Sequence, residues 1–444
     1  MKGALILKQW LENQFELARW HTSVSTEIIA GATTFATMAY VLAVVPGMMA
    51  GADLPAGAML TAMVLMIVIT TLGMAFYTNR PFVLAPGLGS VAIFSITMVQ
   101  LQKIPVETAA GLVFLSGILF IIVTVFGIRD AIVALIPKGI KISISAGVGL
   151  FIAVIGMRNA HLIAANAKKT ALSFADLTQP AVIVAVIGMV ILLILESRRV
   201  KGSALIAIAA ATLAGLPLGV THLPSSVFSS PEGIGDLLFR FDLASALDLK
   251  YIPYLFAFFL PDFFSSFGTA LGVGGRAGFL DENGDLPGLH KVFLVDSLAA
   301  TLGSFATVPV LITYLESSAG VEAGGRTGLT ALTSAALFLA VLAVTPLALM
   351  IPSAATAPIL IYVGISMMKG LRNLDYDTMS ECIPAFLCIA LAIFTFNVGN
   401  GIAAAFIAYV IIRLAAGEFR LLRAGHFLLA AVLMYYFYSM AVMK

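Results

Sequence analysis

Two carboxylates stand where an apolar helix would ordinarily carry none. Glu316 lies in Thr313-Tyr314-Leu315-Glu316-Ser317-Ser318, and Asp262 lies in Leu260-Pro261-Asp262-Phe263-Phe264-Ser265-Ser266-Phe267-Gly268-Thr269. A charge at membrane depth costs several kcal/mol and usually marks an ion or substrate path. An ionised carboxylate accepts hydrogen bonds only, so it suits the N–H groups of a polar solute. It can also exchange a proton as its surroundings change. Both roles are expected of Glu316. For Asp262 a coupling role competes with capping of a helix break at Pro261, beside the hydroxyls of Ser265, Ser266 and Thr269. Glu322 and Arg326, four apart, are expected to form a helical ion pair. Glu27 and Arg80 are placed at the edges of their spans.

Other chemistry is weakly represented. Gly272-Val273-Gly274-Gly275-Arg276-Ala277-Gly278 has glycine spacing loosely like a nucleotide loop, but no phosphate-binding lysine follows. No Walker motif is present, which argues against an ATP-driven pump. Cys382 and Cys388, six apart, lack zinc-ligand spacing. No paired intramembrane metal ligands and no nucleophile beside a base are seen, so neither an enzyme nor a cofactor or metal site is expected.

The elements that must position the two carboxylates follow from composition. Of 444 residues, 60% are hydrophobic and 11% charged, and mean hydropathy is +1.04. An average soluble domain is about a quarter charged. A bilayer-spanning helix needs about 20 apolar residues, and such runs recur along the chain. They are placed at about 25–45, 57–77, 82–99, 106–127, 140–157, 179–196 and 202–220, then at 251–273, 290–306, 308–325, 329–350, 352–368, 380–396 and 401–416. The fold class expected is therefore an all-α membrane protein of about fourteen spans. Residues 1–24 read as an amphipathic interfacial helix anchored by Trp10 and Trp20, with no cleavable signal peptide. Residues 25–220 form a first set of seven spans, 221–250 an external loop and 251–416 a second set. Residues 417–444 hold a further apolar segment whose path, across the membrane or along it, is left open.

With the N-terminus inside, 18 Lys and Arg fall in inner loops and 6 in outer ones, with Lys444 uncounted. This asymmetry is the positive-inside pattern. It supports a multi-pass protein of the plasma membrane with a cytoplasmic N-terminus. The net charge of +2 suggests no nucleic-acid partner.

An internal repeat is also visible. Ile136-Pro137 matches Ile351-Pro352, and Val148-Gly149 matches Val363-Gly364 at the same offset. Each pair falls in the fifth span of its set. Because seven is odd, the second set enters the membrane from the opposite side, the inverted-repeat arrangement of secondary transporters. Such folds bind solute near the midplane, between helices broken by Gly or Pro. The third span has Pro81, Pro86, Gly87 and Gly89, and the tenth has Pro309 followed by Gly320, Gly324 and Gly325.

At these segments the chain resembles a known family. Thr26 to Tyr40 (TEIIAGATTFATMAY), Asn79-Arg80-Pro81-Phe82, Ala85-Pro86-Gly87-Leu88-Gly89, Thr313 to Gly320 and Ala323 to Thr330 are similar to the AzgA-like adenine/guanine/hypoxanthine permeases of the xanthine/uracil permease superfamily. Arg276-Ala277-Gly278, Pro352 to Gly364 and Ile383-Pro384-Ala385-Phe386 match as well. The resemblance runs from about 25 to 416. It implies two inverted repeats of seven spans, divided into core and gate domains, with the third and tenth spans as broken half-helices. It implies alternating-access, proton-coupled nucleobase uptake and a homodimer in the lipid bilayer, with Glu316 as the substrate glutamate. The binding set it implies is Glu316, Tyr314, Thr313, Ser317, Ser265, Gly268, Thr269, Gly89, Ser90, Val91, Phe94 and Phe35, with Glu316 and Asp262 as coupling residues.

Two positions depart from the family pattern. The purine branch has Phe-Asp-Thr-x-Gly-Thr where this chain has Phe264-Ser265-Ser266-Phe267-Gly268-Thr269, and an asparagine where this chain has Val91. Both changes remove polar groups from the expected pocket. The alternatives therefore stay open: another solute on the same fold, a pyrimidine such as uracil or an anion, moved in a channel-like or uncoupled way, with sodium in place of the proton.

Overall fold

In lipid the backbone must satisfy its own polar groups, and helices do so locally. The computed structural model, which describes residues 9–127, 136–165, 172–281, 286–395 and 397–442, is accordingly built of helices. In the first half these are α1 (Val24–Met38, resuming after Tyr40 as Val41–Met49), α2 (Ala56–Gly73), α3 (Leu88–Ala92, widening into a π-helix to Leu101), α4 (Val106–Val125), α5 (Lys138–Asn159), α6 (Pro180–Ser197) and α7 (Ser203–Gly215). In the second half they are α8 (Ile252–Arg276), α9 (Leu289–Ser304), α10 (Ser317–Glu322), α11 (Gly328–Val341), α12 (Ser353–Met367), α13 (Met379–Phe394) and α14 (Val398–Ala415), followed by α15 (Ala424–Val442). Among the described residues nine helical runs are long and apolar enough to cross a membrane, and α3, α7 and α13 are apolar but shorter.

Among the described residues four short strands punctuate the helices: β1 (Leu84–Pro86), β2 (Ile163–Ala165), β3 (Leu172–Phe174) and β4 (Leu311–Thr313). β2 and β3 form a small antiparallel hairpin after α5. β1 and β4 are far apart in sequence yet pair antiparallel, Leu84 opposite Thr313 and Pro86 opposite Leu311. They precede α3 and α10, so the two expected interruptions are where the chain leaves the helical path.

The matched glycines of the repeat meet each other. A β-carbon on Gly149 of α5 would stand 2.8 Å from the Gly364 carbonyl oxygen, and one on Gly364 of α12 would stand 2.4 Å from the Gly149 oxygen. Only glycine permits this reciprocal backbone approach.

Several local expectations change. No break occurs at Pro261, because α8 runs through it; Asp262 is not a cap there. Glu322 does not pair with Arg326. It meets Arg276 at 2.8 Å, while Arg326 donates to the carbonyls of Val321 and Gly325 and closes the end of α10. Glu27 stands in the first turn of α1, at the edge expected for it, and is fully buried there. Its carboxylate accepts from the backbone N–H groups of Arg326 (2.9 Å) and Thr327 (3.2 Å) and from the Thr330 hydroxyl (2.6 Å), capping α11. The N-terminal segment is helical only over 9–14 and then turns, with residues 1–8 outside the described set. Phe15 and Leu17 are buried against Leu329, Trp20 packs edge-on against Phe279 at 4.8 Å, and Trp10 is exposed.

Candidate functional site

Interrupted helices strand backbone donors and acceptors, so the site is best built from where those groups go. Across the β1–β4 ladder the Gly87 N–H donates to the Val310 carbonyl (2.9 Å) and the Tyr314 N–H to the Val83 carbonyl (3.0 Å). The Val83 N–H finds the Ser317 hydroxyl (3.0 Å), and the Leu84 N–H the Thr71 hydroxyl (3.2 Å). The Tyr314 hydroxyl donates to the Pro86 carbonyl. Thr313, Tyr314 and Ser317, expected as binding residues, are thus the ties that hold the two interruptions together.

Glu316 stands just before α10, which packs between α1 and α8. The Tyr40 hydroxyl, at the irregular point of α1, donates to Glu316 Oε1 at 2.7 Å. Among the described residues no other side chain bonds to this carboxylate. Glu316 is half-buried, and its neighbour Leu315 is 52% exposed. On the adjacent α8, Ser265 is half-buried and Gly268 faces open space, with no atom within 4 Å of a β-carbon there. Thr269 is buried on the same helix.

Asp262 lies one turn from Ser265 and is fully enclosed. Both of its oxygens accept from the Ser90 hydroxyl, at 2.8 Å each, which ties α8 to α3. A second buried acid is Asp296 on α9, and its Oδ1 accepts from the Thr313 hydroxyl at 2.7 Å. Asp296 Oδ2 and the Ser266 hydroxyl are buried without a hydrogen-bond partner among the described residues. On α3, Val91 and Phe94 are buried, and a β-carbon on Gly89 would stand 2.6 Å from Val148 of α5. Phe35 of α1 packs edge-on against Phe338 at 5.0 Å. The expected residues therefore fall into two groups. Glu316 and Ser265 are half-buried and Gly268 faces open space, whereas Ser90, Val91, Phe94, Thr313 and Ser317 are enclosed.

Sequence reasoning missed two residues. Tyr40 ends the Thr26 to Tyr40 segment, and nothing in its local sequence assigns it a role. Asp296 interrupts the apolar run Val292-Phe293-Leu294-Val295 and carried the same signal as Asp262. Among the described residues no cluster of His, Cys, Asp and Glu is arranged to hold a metal ion.

Comparison with known proteins gives a consistent picture. The Permease family model, of the xanthine/uracil type, matches residues 25–415. The adenine permease AdeP of Escherichia coli is 36% identical, over 92% of this chain and 92% of that protein. The guanine/hypoxanthine permease PbuO of Bacillus subtilis is 37% identical, over 91% of this chain and 95% of that protein. A putative permease of Methanocaldococcus jannaschii is 36% identical, over 94% and 95% respectively. Among solved structures, the transmembrane domain of a cyanobacterial bicarbonate transporter, BicA, superposes with a TM-score of 0.63 at 15% identity, covering 86% of this chain and 96% of that one. Murine Slc26a9, an anion transporter in the inward-facing state, gives 0.62 at 13% identity, covering 88% and 68%. At such identities these two likenesses concern the fold.

Proposed function

The chain belongs to the permease family of the xanthine/uracil type, and from that membership we propose that it imports a purine nucleobase by proton symport in an alternating-access cycle. The observation that carries this reading is the half-buried carboxylate of Glu316, held at one oxygen by Tyr40, before a helix that packs on α8, where Ser265 is half-buried and Gly268 faces open space. A purine offers ring N–H donors, and a carboxylate oriented by one hydroxyl retains acceptor capacity for them. The relatives named for adenine and for guanine/hypoxanthine transport support the purine class.

In this reading Glu316 holds the solute and Asp262 carries the coupled proton. A charge enclosed in a membrane protein must be paired or neutralised, so proton uptake at a buried carboxyl is a means of tying solute movement to the gradient. Residues 25–220 and 251–416 are the two inverted repeats, with fourteen spans in all. The protein lies in the plasma membrane as a homodimer with its N-terminus in the cytoplasm.

Uptake of radiolabelled adenine and hypoxanthine into proteoliposomes tests this. An acid-outside gradient should drive saturable uptake, and a protonophore should abolish it. Uptake that ignores the protonophore and follows sodium would replace the coupling ion. Bicarbonate flux with no purine uptake would overturn the solute.

A further inference from the structure

On the outer wall of α2 and α9 lies a groove of about 290 Å³. Ile69, Thr70, Gly73 and Tyr77 of the α2 side line it, facing Leu294, Leu298 and Leu302 of α9 among others. The lining is almost wholly apolar, and Ile69, Tyr77 and Leu298 are substantially exposed. These positions recur every three or four residues on both helices, so the groove follows the helix axes. Gly73 opens it: a β-carbon there would meet only Val295, at an ordinary 3.8 Å.

A cation closes one end. Lys291, one turn before Leu294 on the same face of α9, is exposed and holds its ammonium 5.6 Å from the centre of the Tyr77 ring. Among the described residues no carboxylate pairs with it. From Lys291 to Leu302 the helix rises about 17 Å, close to the roughly 15 Å of one leaflet's hydrocarbon. A slot that is apolar along one leaflet's depth and cationic at the headgroup level matches the shape and charge of one phospholipid.

We propose that this groove is a binding site for an anionic phospholipid, with an acyl chain between α2 and α9 and the head phosphate on Lys291 beside Tyr77. Assigning it to the cytoplasmic leaflet rests on the proposed orientation of the N-terminus; the site itself does not. One lysine near an anionic headgroup favours it by about fivefold. The site also bears on the ladder, because Val295 on the groove is followed by Asp296, whose carboxylate holds Thr313. A lipid seated there braces the helix that positions β4.

Native mass spectrometry of the detergent-purified protein, titrated with phosphatidylglycerol and separately with phosphatidylcholine, tests the proposal without reference to transport. Wild type should retain phosphatidylglycerol about fivefold better than phosphatidylcholine. Lys291→Gln should erase that preference while leaving some binding of both, and Gly73→Leu, which fills the slot, should remove the tightest adduct of either. Two results would overturn the proposal: equal retention of the two lipids by wild type, or an undiminished preference in both variants. A Gly73→Leu protein that keeps its lipid but loses its dimer would do the same, by making the groove a contact between copies. A melting temperature for each variant confirms that it is folded before the comparison is made.

Discussion

Glu316 and the pair Asp262 and Asp296 are all acids beside the same two-stranded ladder, yet their surroundings differ. Glu316 is half-buried and has one hydroxyl partner. Asp262 and Asp296 are sealed, and each accepts from a hydroxyl of one interrupted segment, Ser90 on α3 and Thr313 on β4. A partly exposed acid can be approached by a solute, whereas a sealed one acts through what it holds. Burial thus separates three chemically similar residues into one that a solute could reach and two that hold hydroxyls of the interrupted segments. In the proposed cycle one of that pair, Asp262, also carries the proton.

The comparison can be broken at several points. The largest effect should follow Glu316→Ala. Loss of charged hydrogen bonds costs about 3 kcal/mol, so purine affinity should fall roughly a hundredfold, with some loss of unliganded stability because the buried Tyr40 hydroxyl loses its partner. Equilibrium binding of labelled adenine reads this directly. Asp296→Ala should spare purine affinity and act on stability alone. It strands the buried Thr313 hydroxyl and costs about 1–3 kcal/mol of stability, visible as a lowered melting temperature. Asp296→Asn, which keeps an acceptor, should recover most of it. Gly364→Val tests the scaffold rather than the site: a β-carbon 2.4 Å from the Gly149 oxygen forces α5 and α12 apart, at about 1–3 kcal/mol. Thermal unfolding should report that loss too. The smallest effect belongs to Tyr40→Phe. Removing one neutral donor from Glu316 costs about 1 kcal/mol, so purine affinity should weaken by about fivefold, measured in the same binding assay.

Much of this was legible in the sequence, and the reasons are physical. Membrane helices are announced by their composition, and Pro86, Gly87 and Pro309 marked the two segments that leave the helical path. Val148-Gly149 and Val363-Gly364 pointed to a repeat, and Gly149 and Gly364 meet reciprocally because close backbone approach tolerates no side chain. What escaped was partnership. Nothing local says that Tyr40 bonds to a residue 276 positions away, or that Glu27 caps α11. Pro261 suggests a break because proline removes a backbone donor, but α8 absorbs it. Arg326 was given to Glu322 by spacing alone, whereas the end of α10 offered it free carbonyls and Arg276 took the carboxylate.

The most direct test of the division between accessible and sealed acids is purine-induced thermal stabilisation of wild type, Glu316→Ala and Asp296→Ala, at adenine or hypoxanthine concentrations about 100 times the wild-type dissociation constant. Wild type should gain about 2.7 kcal/mol. Asp296→Ala, though less stable at the start, should gain nearly as much, and Glu316→Ala should gain almost nothing. Full stabilisation of Glu316→Ala by the same purine would contradict the account, because the solute would then be held elsewhere.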